Sequence, residues 1–103
     1  MRVVLCNAPP DQAERIAGAL VDARLAACVN LVPGVVSIYR WKGAVERESE
    51  TTLIIKTADD RVAALMAELR RLHPYEVPEM AVVDVAHVND DYALWLIAET
   101  RET

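Results

Sequence analysis

Phenylalanine is absent from this 103-residue chain, so its core has to be built from Val, Leu, Ile and Ala. Cysteine is scarce. Cys6 and Cys28 are the two present, and they do not make a disulfide framework. Long apolar runs are missing as well. No stretch approaches the length of a membrane span, and the run after Met1-Arg2 is too short for a signal peptide. Basic residues are in the minority, with 11 Lys and Arg against 16 Asp and Glu, a net charge of −5 and a pI near 4.9. A nucleic-acid partner needs a basic cluster, so that class is excluded. The expectation is a cytoplasmic protein with free thiols, no membrane partner and no nucleic acid.

What is present is 53% hydrophobic, far above the disordered range. The length suits one domain over residues 1–103. Residues 2–7, "RVVLCN", read as a buried strand stopped by "APP". Asp11 caps a helix or sits in its first turn, and Ala13, Ile16, Ala17, Leu20 and Val21 then recur at helical spacing. Residues 28–41 are β-rich, with a bulge or bend expected at Pro33-Gly34 and a hairpin turn at Lys42-Gly43. The chain returns as a strand over 45–57. Its run "VERESE" reads as solvated. A second helix starts at Asp59 or Asp60. Val62, Leu65, Met66, Leu69 and Leu72 form its inner face, and Pro74 ends it. Residues 80–85 give a fourth strand, and Asn89 caps a last helix with Tyr92, Trp95 and Leu96 on one stripe.

The order β-α-β-β-α-β plus a C-terminal helix describes an α+β, ferredoxin-like fold. Right-handed crossovers favour an antiparallel sheet of order 4-1-3-2 with both helices on one face. The end of the first strand and the end of the second helix then meet at one sheet edge. Cys6, Asn7 and His73 gather there, beside a helix N-terminus that favours a thiolate. The other sheet face lacks helices. Yet Val3 and Leu5 point one way and Val4 and Cys6 the other, so both faces are apolar. Strands apolar on both sides are buried on both sides, which implies a covering subunit.

"LAACVNLVPGVVSIYRWKG" (25–43), "LIIKT" (53–57), "LHPYEVPEM" (72–80) and "DYALWL" (91–96) closely resemble the CutA divalent-cation tolerance proteins. The resemblance spans essentially the whole chain. It implies a ferredoxin-like fold, a homotrimer, and an association with copper and other divalent cations. In some members the proposed copper site uses a Cys at the end of the first strand and a His-His pair after the second helix. Cys6 and His73 match two of these positions, and Leu72 stands in place of the other histidine.

Cys6 and His73 form a mixed S/N donor pair suited to copper or zinc, and Glu79 or Glu76 adds a carboxylate. The plainer alternative makes His73 a cap on the second helix and Cys6 a buried strand residue. Tyr75 packs its ring and donates its hydroxyl. Tyr39 and Trp41 lie on one side of the second strand, where they line a ligand cleft or pack into an interface. No Ser/His/Asp set and no paired catalytic carboxylates stand out, so no enzyme and no organic cofactor are expected. The function expected is a trimeric, copper-type metal-binding protein of cation tolerance. The alternative is a trimeric signalling or scaffold module that binds a small ligand or protein partner at subunit clefts.

Overall fold

The run RVVLCNA forms strand β1 (Arg2–Ala8), and the two prolines behind it end one element and begin the next. In the computed structural model, which describes residues 1–101, Pro9 is the N-cap of helix α1 (Pro10–Asp22) and Pro10 its first residue. Proline at that position sacrifices no hydrogen bond, because the first N–H groups of a helix have no intrahelical acceptor. Of the two places expected for Asp11, the first turn is the one occupied. After α1 the Arg24 N–H bonds to the Val21 carbonyl and the Leu25 N–H to the Leu20 carbonyl, each at 3.0 Å. Arg24 takes a φ of 59° to allow this Schellman closure, a position that usually holds glycine.

Strands β2 (Cys28–Trp41) and β3 (Ala44–Thr57) form a long hairpin. Its turn residues Lys42 and Gly43 have φ of 49° and 85°, the left-handed pair that matches strand twist in a tight hairpin. A short 3₁₀ turn (Asp59–Arg61) leads into helix α2 (Val62–Leu72). Strand β4 (Ala81–Asp84) and helix α3 (Asp90–Glu99) complete the described chain. The sheet runs β2-β3-β1-β4 with every neighbouring pair antiparallel. This is the order 4-1-3-2 expected for a ferredoxin-like fold.

Alternation decides which residues the helices cover. Val4 and Cys6 of β1 pair with Ile55 and Leu53 of β3. These four lie in one buried cluster with Ile16 and Leu20 of α1 and Leu65 and Leu69 of α2. Each fully buried aliphatic side chain contributes about 1.5–3 kcal/mol, so this face holds the fold together. Val3 and Leu5 point to the opposite face with Ile54. There Val32 and Val83 remain 42% and 44% exposed. The open apolar face inferred from the sequence is therefore present. On α3 the expected stripe is only partly realised. Leu96 is buried and Tyr92 packs beside it, but Trp95 points outward and leans on Tyr92, ring centroids 5.4 Å apart. Leu96 is the one buried residue of this ten-residue helix.

A one-residue bulge sets the geometry of the hairpin. Val32 pairs with Thr52, but Val35 pairs with Glu50, so three steps along β2 answer two along β3. Gly34 sits in the bulge with a φ of 74°. Before the bulge Leu31 shares the helix-covered face of its partner Leu53. After it, Tyr39 and Trp41 pair with Glu46 and Ala44 and share the open face of Glu50, Thr52 and Ile54. Strand β1 stops pairing at Thr51, so residues 35–50 project beyond it as a two-stranded arm.

Candidate functional site

The segment between α2 and β4 closes over the end of β1 and meets the base of that arm. His73, the C-cap of α2, has an extended backbone, as the residue before a proline must. Pro78 and Met80 turn inward, while Pro74, Tyr75, Glu76, Val77 and Glu79 face outward. Between this joint and the arm lies a cleft of about 530 Å³, lined by Asn7, Ser37, Tyr39, Trp41, Glu50, Tyr75, Glu76 and Glu79 among others. Five residues singled out in the sequence, Tyr39, Trp41, Tyr75, Glu76 and Glu79, therefore line one cavity.

Asn7 ties the site together. Its backbone carbonyl accepts the His73 Nε2–H at 2.7 Å and the Cys6 thiol at 3.7 Å. Its side-chain Oδ1 accepts the Thr52 hydroxyl at 2.6 Å, and its Nδ2 donates to Glu79 Oε1 at 3.4 Å. The topology thus brings Cys6, Asn7 and His73 together as expected. They meet around a carbonyl, not around an open coordination position. The other ring nitrogen of His73 is also engaged, because Nδ1 accepts the Tyr75 N–H at 3.2 Å. A carbonyl only accepts and an amide N–H only donates, so the two bonds place the ring hydrogen on Nε2.

Cys6 is fully buried, and burial, followed by the charges of Glu79 and Glu50, pushes its thiol up to about 12. The helix N-terminus does not win here. Desolvation opposes the thiolate more strongly than a dipole at the sheet edge favours it. A metal on this pair would need a thiolate that burial disfavours and a ring nitrogen already bonded. Among the described residues no group of three His, Cys, Asp or Glu side chains is placed to hold one ion. The Cys6, His73 and Glu79 set as arranged does not fit a metal. Alkylation with iodoacetamide at pH 8 is expected to label Cys28, which is partly exposed, and to leave Cys6 unmodified until the protein unfolds. Peptide mass mapping checks this, and rapid labelling of native Cys6 would contradict the buried thiol.

Glu50 is the residue that sequence reasoning missed. It belongs to the run read as solvated, yet it is 5% exposed at the base of the cleft. Its Oε2 accepts the Tyr75 hydroxyl at 2.7 Å. That bond holds the Tyr75 ring against His73, with centroids 4.6 Å apart. Desolvation and then the Glu50 bond raise the Tyr75 phenol well above the ordinary tyrosine range. The Tyr39 phenol shifts the same way, through desolvation and then Glu48, Glu50 and Glu46. Strand alternation was the available signal. Glu46, Glu48 and Glu50 lie opposite Tyr39, Ser37 and Val35, so acids and aromatics share a face.

These features define a class first: ferredoxin-like α+β domains with helices on one sheet face and a cleft at the edge of the other. A family model described as CutA1 divalent ion tolerance protein matches residues 2–99. The chain belongs to this divalent ion tolerance family. The divalent-cation tolerance protein CutA of Pectobacterium atrosepticum is 44% identical over 100 residues, covering 96% of this chain and 91% of the relative. The Thermus thermophilus protein of the same name is 46% identical over 99 residues, with 95% and 96% covered. Among solved structures, the apo form of a PII-like protein CutA from a Nostoc species superposes with a TM-score of 0.94 at 42% identity, covering 98% of each chain.

Proposed function

We propose that residues 1–103 act as one domain of a non-catalytic, homotrimeric module of divalent-cation tolerance, and that its binding element is the cleft between the arm and the joint. Glu50 carries this reading: a buried carboxylate with one tyrosine bond, at the base of a cavity of about 530 Å³. Ligand cavities are commonly about 300–1,000 Å³. The apolar open face supports assembly, and because Tyr39 and Trp41 share that face, the cleft opens toward the covering copies. The two free thiols support a cytoplasmic place. The reading asks for no organic cofactor.

Proximity alone speaks for the copper-type or zinc reading. Asn7 gathers all three expected donors, Cys6 and His73 through its carbonyl and Glu79 through its amide. Calorimetric titration of Cu²⁺ and Zn²⁺ into the reduced protein separates the two. If the cleft is the binding element, Cys6→Ser/His73→Gln gives the same isotherms as the parent at equal oligomer size. Loss of a binding step in the assembled variant would restore the three-residue metal site and displace the cleft.

A further inference from the structure

The cleft carries a chemical signature of its own. Three aromatic side chains, Tyr39, Trp41 and Tyr75, share it with three carboxylates, Glu50, Glu76 and Glu79, and among the described residues no Lys, Arg or His of the same chain lines it. Acidity alone would say little, since acidic clusters are usually solvated. Glu50 differs because it is buried, and Tyr75 is the one hydrogen-bond donor to its carboxylate among the described residues. A buried charge without a cation is costly, and it is relieved by a positive group that completes the pair. The carboxylates are too dispersed to close around one ion, because no three of them form a metal-holding group among the described residues. A cation with a larger body can meet several of them at once. Aromatic faces attract such cations through the ring quadrupole, most strongly for tryptophan. Trp41 already does so within the chain, with the Lys42 ammonium 5.6 Å from its ring centroid.

We propose that the Tyr39–Trp41–Tyr75 cleft, with Glu50 at its base, binds a small organic cation, an ammonium or guanidinium group on a compact apolar body. This rests on the cleft being the binding element and names the ligand class. The cationic head would meet the free side of the Glu50 carboxylate and the aromatic faces. Glu76 and Glu79 would raise the local cation concentration at the mouth. The tight turn at Lys42-Gly43 makes the arrangement available, since its register puts both β2 aromatics on the side of Glu50, and the bulge reconciles that register with the body of the sheet.

Tetramethylammonium and butylguanidinium, with neutral neopentyl alcohol and acetate as controls, are titrated into the assembled protein and followed by amide NMR. Both cations are expected to shift signals at residues 37–41, 50 and 74–79, with little response to the controls. Glu50→Gln is expected to weaken cation binding by about tenfold and Trp41→Leu by several-fold, at unchanged oligomer size. If Glu50→Gln does not fold, Trp41→Leu at unchanged oligomer size decides alone. Equal or tighter binding of a neutral or anionic probe at the same residues would overturn the cation class and leave the cleft standing. If no probe of any charge perturbs the cleft, the binding-cleft reading falls with it.

Discussion

Replacing His73 by alanine is expected to lower the unfolding free energy by about 3 kcal/mol, measured by urea denaturation at fixed protein concentration. The ring is 7% exposed and packs against Tyr75. Its loss leaves a void, which costs on the order of 2–3 kcal/mol for a side chain of this size. It also strands the Asn7 carbonyl and the Tyr75 N–H, each of which loses its partner in the joint. An unsatisfied buried group adds roughly 1–3 kcal/mol, and relaxation with water entry returns part of the total. His73→Gln can still donate to Asn7 and should recover part of the loss. A ligand-only histidine would behave differently: alanine would cost less than about 1 kcal/mol without metal, and the glutamine variant would be no better.

Tyr75→Phe is expected to cost about 2 kcal/mol, because it removes the hydroxyl and leaves the buried Glu50 carboxylate without its hydrogen-bond donor. The informative measurement is the double variant. Glu50→Leu/Tyr75→Phe removes both ends of the bond and should recover most of the stability lost by Tyr75→Phe alone. Additive losses would mean that the hydroxyl acts through packing and that Glu50 is hydrated through the cleft mouth. Both experiments need the protomer concentration held constant, since assembly contributes to apparent stability.

These effects show why the fold was more legible than the site. Elements followed from period and punctuation. Pro33-Gly34 marked the bulge, Lys42-Gly43 the turn, and Pro74 the end of α2, because each forces a local backbone choice whatever surrounds it. The sheet order followed because crossover handedness leaves few arrangements. The meeting of Cys6, Asn7 and His73 followed from that topology. What the three would do there did not follow. A cysteine and a histidine at one edge look like ligands until their partners are known, and here those partners are a shared carbonyl and a backbone N–H. Glu50 was hidden for a similar reason. Its neighbours in sequence are solvated, and its hydrogen-bond partner, Tyr75, lies 25 residues away. Trp95 keeps its helical spacing and packs on Tyr92, but its ring stays half-exposed while Leu96 is buried.

The extra residue at Pro33-Gly34 also acts as a parity setting. Side chains beyond it are assigned to a face by counting in twos from the turn at Lys42-Gly43, and side chains before it by counting from the body of the sheet. Deleting one residue there would bring the two counts into phase. Tyr39 and Trp41 would keep their places opposite Glu46 and Ala44, because the turn fixes them, and only the local bend between Val32 and Val35 would be lost. Loss of a single residue there should therefore be absorbed by the bulge, whereas a regular pairing of the full-length strand would force either Leu31 or the two rings onto the wrong face.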